Sequence, residues 1–259
     1  MQLRLTVRRT ARRAAHIITV SEYSRADICR TYGIAPQRIT VTPEAAPPGL
    51  LPVTDETKLK RIRESYGIRK PYILSLCSIH PRKNLVRLIE AYSSLRRVRP
   101  EVKLPQLVLA GKRGWLDSET FSAAERNNLG KDLLFTGYVP EQDLAGLYSG
   151  AVCFVYPSYF EGFGLPVVEA MQCGVPVIAG NQTSLPEVVG DAGLLFDPFD
   201  TQALTKALRQ LLDDSEYRES LRVKGLERAK QFNWLTTAQM TLNVYERVVK
   251  RKRAERRNG

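Results

Sequence analysis

The chain has 259 residues, 43% of them hydrophobic, enough to bury the core of one large domain or two small ones. No run of about 18 apolar residues occurs and no apolar leader region follows the basic N-terminus, so neither a helical membrane span nor a secretory leader is expected and the pattern reads as cytoplasmic. The formal net charge of +12 is carried by the two ends, Arg4, Arg8, Arg9, Arg12 and Arg13 in residues 1–13 and six bases against one acid in residues 250–257; the near-neutral body between them excludes a nucleic-acid domain with a basic face throughout.

The basic ends allow two readings, peripheral attraction to an anionic membrane surface or solvated helix termini. The four cysteines, Cys29, Cys77, Cys153 and Cys173, form no CxxC pair, and His16 and His80 are the only histidines. We therefore expect no metal site, and reduced thiols, three of them in or beside apolar runs.

In chain order, "AHIITV" (15–20) predicts a strand. "SEYSRADICRTYG" (21–33) predicts a helix, with Ser21 or Ser24 as its cap and Gly33 as its end. "RITVT" (38–42) is a second strand. Four prolines within residues 43–52 break any regular element and mark a linker. Beyond it the alternation becomes regular. Strands are predicted at 72–78, 106–111, 133–137, 151–157, 175–180 and 192–196. The helix over 84–95 places Leu85, Leu88, Ile89, Tyr92 and Leu95 on one face. Further helices are predicted around 118–129, 141–149, 166–174, 184–189, 200–213, 215–231 and 234–253. Six continuous apolar strands alternating with helices imply one doubly wound, Rossmann-like parallel sheet covered on both faces, an α/β domain over roughly 53–232. Such sheets bind ligands beyond the C-terminal ends of their strands.

The stretch "EGFGLPVVEA" (161–170) follows the strand at 151–157, at that edge. Pro166 suits the first turn of a helix. Gly162 and Gly164 permit close backbone approach to a ligand. The amides of Phe163, Gly164 and Leu165 precede a helix N-terminus, which favours anions. Glu161 is expected to project from the loop and Glu169 to face the same cleft one turn on. Two carboxylates flanking amide donors suit a polyhydroxylated anion such as a nucleotide-sugar. The plainer alternative is a capped helix start with two surface glutamates. "PRKN" (81–84) places Arg82 and Lys83 at a helix start, where cations are mildly unfavourable unless an anion lies nearby.

"EGFGLPVVEAMQCGVPVIA" resembles the E(x7)E region of the group 1 (family 4) retaining glycosyltransferases of the GT-B fold. "SIHPRKNLVRLIEAY", "LVLAGKRG", "LLFTGYVPEQDLAGLYSGAVCFVYPSYFEGFG" and "FNWLTTAQMTLNVYERVV" extend the likeness in order along the chain. The resemblance implies that Glu161 contacts the donor sugar beside its reacting carbon. It implies that the amides of Phe163, Gly164 and Leu165 hold sugar and phosphate oxygens, and that Glu169 accepts from the ribose hydroxyls. Lys83 and Arg82 would neutralise the diphosphate, and Gly137, Tyr138 and Val139 would border the base. No cofactor or metal is implied beyond the nucleotide-sugar, with GDP-mannose the first choice and UDP- or other GDP-sugars open. The acceptor is expected to be a glycan or a lipid-linked glycan.

The resemblance divides the chain into a remnant of the N-terminal acceptor domain (1–42), the linker (43–52), the donor-binding domain (53–232) and a crossover helix with a basic tail (233–259). Two features depart from the family pattern. Cys77-Ser78 stands where a glycine-arginine pair is usual, and most of the acceptor half is absent. We therefore expect a separate acceptor-domain chain or a truncated frame, and an exposed apolar face on the helix at 234–250. The alternative function is a non-catalytic nucleotide-sugar-binding remnant. A dinucleotide oxidoreductase is disfavoured because "GFGLPV" has Val167 at the third glycine position and follows the fourth predicted strand of the α/β domain, not the first strand of a βαβ unit. No phosphate-loop NTPase motif occurs.

Overall fold

The computed structural model describes residues 2–69 and 71–257. The side chains of residues 2–5 and of Arg256 are not described, so the shares of the basic ends carried by Arg4 and Arg256 lie outside the described residues. The chain divides into two compact units, residues 1–45 with 232–259, and residues 46–231.

The smaller unit holds α1 (Gln2–Arg13), β1 (Ile17–Thr19), α2 (Glu22–Tyr32), β2 (Ile39–Val41) and α11 (Trp234–Arg257). β1 and β2 pair in parallel, Ile17 opposite Ile39. Ser21 caps α2, its Oγ accepting from the Ser24 amide at 3.0 Å, and Gly33 ends it in the left-handed conformation. Leu235, Leu242, Tyr245 and Val249 are exposed on α11, an apolar row at helical spacing. The helix over residues 2–13 agrees with the reading of the basic ends as solvated helix termini, although no element was placed there from apolar periodicity.

The larger unit begins with the proline-rich segment. It then forms α3 (Glu56–Ser65), β3 (Tyr72–Leu76), α4 (Leu85–Val98), β4 (Gln106–Ala110) and α5 (Ser118–Arg126). β5 (Leu133–Gly137), α6 (Glu141–Ser149), β6 (Ala151–Tyr156), α7 (Leu165–Gln172), β7 (Val177–Gly180) and α8 (Leu185–Val189) follow. β8 (Gly193–Phe196), α9 (Thr201–Asp213) and α10 (Ser215–Ala229) complete it. The six strands form one sheet, all parallel, in the order β5-β4-β3-β6-β7-β8. The chain works outward from β3 to β5, then returns to β6 on the other side. The order therefore reverses between β3 and β6, the place where doubly wound sheets open a crevice.

Tyr72, Ile73 and Leu74 of β3 and Phe154 and Val155 of β6 are fully buried, as befits central strands covered on both faces. The face of α4 read from its spacing, Leu85, Leu88, Ile89, Tyr92 and Leu95, is buried as a block. The Asp55 side chain accepts from the amides of Thr57 and Lys58 to start α3, and Asp200 and Asp214 do the same for α9 and α10. α3 was not expected. Only Leu59 and Ile62 on it are buried, too few to stand out beside the proline-rich linker. Cys77, Cys153 and Cys173 are buried and all four thiols are free.

Candidate active site

Two loops meet at the point where the strand order reverses. The loop after β3 runs through a 3-10 turn, Pro81–Lys83, and ends at Asn84, which adopts the left-handed conformation (φ 56°). Asn84 Nδ2 donates to the carbonyls of Pro157 (3.1 Å) and Pro198 (2.7 Å). One side chain thus fastens the β3 loop to the segments after β6 and β8. The loop after β6, residues 157–164, lies alongside. The Tyr159 amide and the Ser158 hydroxyl both donate to the Arg82 carbonyl, at 3.2 and 2.9 Å.

Between these loops lies an ion cluster. Lys83 Nζ donates to Glu161 Oε1 at 2.6 Å, with both residues about 8% exposed. It also donates to the Tyr156 hydroxyl at 2.5 Å. Tyr156 and Ser158 hydroxyls donate to the same carboxylate oxygen at 3.0 and 2.7 Å. The second oxygen, Oε2, takes Arg82 Nη1 at 2.7 Å. The Arg82 side chain is 41% exposed, so it is the solvent-facing member. Burial alone would push the Glu161 carboxyl up. The Lys83 ammonium and the hydrogen bonds from Lys83, Ser158 and Arg82 outweigh it and hold the group below the usual carboxylate range. Glu161 is therefore an ionised, buried carboxylate. The sequence pattern placed it projecting from its loop. The structure turns it inward, because a buried ammonium and two hydroxyls offer partners that water would otherwise supply.

The backbone around Glu161 is pinned as well. Its amide donates to Thr183 Oγ1 at 3.0 Å, and the buried Ser184 hydroxyl donates to the carbonyls of Glu161 (3.0 Å) and Phe163 (2.7 Å). Gly164 caps α7 with φ at 118°, and a Cβ there would lie 2.8 Å from Leu185 Cδ2. Only glycine fits both demands. Leu165 and Pro166 open α7, one residue earlier than expected, and Phe163 is buried beside them.

Glu169 lies one turn further along α7, with its Oε2 receiving the Tyr148 hydroxyl at 2.7 Å. Burial pushes its carboxyl up, and the Tyr148 hydrogen bond only partly offsets this. The two glutamates of the motif thus differ in kind, one held ionised by cations and one drawn toward neutrality. Gly137, Tyr138 and Val139 lie at the C-terminal end of β5, on the same edge of the sheet. Val139 is buried, while Tyr138 is exposed with Lys112 Nζ 4.4 Å from its ring centroid. The loop after β4 is zipped to the β3 loop: the Cys77 amide donates to Ala110, and Ile79 donates to Lys112. A Cβ on Gly111 (φ 134°) would lie 2.0 Å from the Cys77 carbonyl oxygen. The unusual Cys77-Ser78 pair is thus packed directly beneath this loop. Among the described residues, no group of three or more His, Cys, Asp or Glu side chains is placed to hold a metal ion.

Sequence reasoning named Arg82, Lys83, Glu161 and Glu169 but not their supports, Tyr156, Ser158, Tyr148, Asn84, Thr183 and Ser184. The signal for Tyr156 and Ser158 was available: polar groups flanking Pro157, just where an otherwise apolar strand ends.

A single parallel α/β sheet with a buried carboxylate–cation cluster at its switch point defines a Rossmann-like domain with a polar site where such sheets bind ligands. The profile of the family described as "Glycosyl transferases group 1" matches residues 59–228, and that of "Glycosyltransferase Family 4" matches residues 2–48. The chain belongs to the group 1 glycosyl transferases. It is 41% identical over 230 residues to the O-antigen chain mannosyltransferase B of Escherichia coli, covering 89% of this chain and 60% of that protein. It is 32% identical to the MMP alpha-(1->4)-mannosyltransferase of Mycolicibacterium hassiacum, covering 94% and 57%. Sucrose-phosphate synthase from Thermosynechococcus elongatus superposes with a TM-score of 0.80 at 26% identity, over 95% of this chain and 61% of that one. Anabaena HepE, solved in complex with UDP and glucose, gives 0.83 at 21% identity, over 94% and 66%. The chain spans about 60% of the length of these curated relatives.

Proposed function

We propose that this chain is the nucleotide-sugar-binding half of a retaining glycosyltransferase that transfers mannose, with GDP-mannose as donor and a glycan or lipid-linked glycan as acceptor. The observation that carries the reading is the Lys83–Glu161–Arg82 cluster at the switch point of the sheet. The relatives named as mannosyltransferases support the choice of sugar.

Cleavage of a sugar–diphosphate bond develops positive charge on the sugar and negative charge on the leaving phosphate. Preorganised cations and helix N-terminal amides stabilise that leaving charge, each contributing on the order of a hundredfold or more in rate. Lys83 is committed to Glu161, whereas Arg82 is half in solvent. In our reading a sugar hydroxyl takes the place of Arg82 on Glu161 Oε2. The released guanidinium then turns to the diphosphate, so donor binding exchanges one charge-assisted bond for another. Phe163, Gly164 and Leu165 offer their amides at the start of α7, Glu169 accepts from the ribose, and Gly137 to Val139 border the base. Positioning an acceptor and excluding water require a second surface closing over this one. A separate acceptor-domain chain, or sequence beyond this segment, would supply it. Peripheral contact with a membrane through the basic ends would bring a lipid-linked acceptor within reach. No helix among the described residues is long and apolar enough to cross a membrane.

A thermal-shift titration against GDP, UDP, ADP, GDP-mannose and UDP-glucose tests the donor site. A ligand at 100 times its dissociation constant adds about 2.7 kcal/mol of stability. A selective rise with GDP and GDP-mannose is the expected result. No rise with any nucleotide, from folded protein, would overturn the reading.

A further inference from the structure

The smaller unit contains a second concentration of charge that the donor site does not use. Ala15 and His16 face Arg247, Val248, Arg251, Lys252 and Glu255 of α11 across a cavity of about 70 Å³. A water molecule occupies roughly 30 Å³ of liquid, so the space holds about two waters or one anion of phosphate size. His16 closes one wall, its Nε2 2.8 Å from Thr40 Oγ1 on β2. Burial first, then the guanidiniums of Arg247, Arg38 and Arg251, push the imidazole below its ordinary value. Arg38 is spoken for: its guanidinium donates to the carbonyls of Arg12 and Ala14 at the end of α1. Arg251 is partly neutralised by Glu255 at 2.8 Å. Arg247 and Lys252 have no carboxylate within ion-pair distance among the described residues. Arg247, Arg251 and Lys252 thus place three positive charges along the α11 side of the cavity against one carboxylate, Glu255.

We infer that this cavity is a binding site for a phosphate group. Arg247 presents a planar fork suited to two phosphate oxygens, Lys252 a point charge, and Arg251 a third donor once its bond to Glu255 is shared. The phosphate belongs either to a lipid, as a bilayer headgroup or a lipid-linked glycan, or to a free phosphorylated solute. The inference does not depend on the donor reading, because every residue in it lies in the smaller unit.

The chain's two histidines report the two regions separately: His16 lines this cavity, and His80 precedes Arg82 in the loop after β3. Proton NMR of the imidazole C–H signals, assigned with His16→Gln, is followed while inorganic phosphate is titrated into the full chain. The His16 signal should shift saturably. The shift should weaken at least about tenfold in Arg247→Ala/Lys252→Ala, the loss of two charge-assisted bonds. It should persist in Arg253→Ala/Arg257→Ala, which removes equal charge from the same helix outside the cavity. Movement of His80 alone, or equal weakening in both double variants, overturns the site. Co-sedimentation with phosphatidylcholine vesicles, with and without phosphatidylglycerol, separates the sources. Pelleting only with the anionic lipid, lost in Arg247→Ala/Lys252→Ala and kept in Arg253→Ala/Arg257→Ala, supports a lipid phosphate. A saturable His16 shift without pelleting supports a soluble one.

Discussion

Replacing Lys83 by Met tests the energetic core of the candidate site. The ammonium lies 2.6 Å from Glu161 Oε1, with both side chains 9% exposed. Removing one member of a buried pair strands the other, typically at about 3–5 kcal/mol. Ser158, Tyr156 and the partly solvated Arg82 stay on the carboxylate, so we place the loss near the lower end, about 3 kcal/mol. The larger unit spans residues 46–231, and for a domain of that size each kcal/mol moves Tm by about 2–4 °C. Lys83→Met should therefore melt roughly 6–12 °C below wild type near neutrality. Its pH dependence is the sharper signature. In the wild type the Glu161 carboxyl is held below its unfolded value. Its stabilisation is therefore present above the unfolded value, about 4.3, and is lost as pH falls through the lowered folded one. In the variant burial dominates and the folded value rises, so the carboxylate costs stability at neutral pH and that cost vanishes on protonation. The gap between the two proteins should be widest near neutrality and narrow steadily with acid. Adding Glu161→Gln to Lys83→Met should recover most of the loss, since no buried charge is then stranded. Circular-dichroism melts across that pH range read both effects. A penalty independent of pH, or a double variant no more stable than Lys83→Met, would refute the ion-pair account.

The second glutamate behaves in the opposite sense. Its folded value is raised, so the ionised form costs stability that is absent below the unfolded value and grows as pH rises through the folded one. Glu169→Gln should thus raise Tm above neutrality and leave it unchanged in acid. A uniform effect across pH would contradict the burial argument. Glu169→Ala should leave the fold intact and weaken nucleotide binding by roughly ten- to a hundredfold, the loss of hydrogen bonds to a charged acceptor; unchanged affinity would refute the ribose assignment. The glycines at the rim of the site separate backbone strain from collision. Gly137→Ala has φ at 72° but open space around its Cβ, and should cost about 1 kcal/mol. Gly111→Ala meets the Cys77 carbonyl at 2.0 Å as well, and should cost about 3 kcal/mol or more by chemical denaturation. Equal losses would mean the loops after β3 and β4 are not zipped as described.

The elements that were legible share one property: their burial repeats with the period of a helix or fills a short apolar run. Leu85, Leu88, Ile89, Tyr92 and Leu95 announced α4, and the six apolar runs became β3 to β8. Where burial is sparse, as in α3, or missing among the described side chains, as over residues 6–13 of α1, the pattern carries little signal. Ser21 and Gly33 were readable as helix ends because capping is a local hydrogen-bond problem between near neighbours. Arg82, Lys83 and Glu161 were singled out in sequence as charges at two loop-to-helix starts, and the structure brings these three together while Glu169 pairs with Tyr148 instead.

The sequence by itself determined the alternation of strands and helices and the residue types that follow the strands at 72–78 and 151–157. Tertiary structure alone decided what those residues do to one another. Lys83 and Glu161 are 78 residues apart. They meet only because the chain leaves β3 in one direction and returns to β6 on its other side, a choice of strand order that no local period encodes. Asn84, silent in sequence, becomes the clasp of three loops for the same reason. Glu161 and Glu169 look alike as letters eight positions apart, yet one faces an ammonium and the other a phenol. Coulombic attraction and desolvation depend on distance and burial in space, and these set one carboxyl low and the other high.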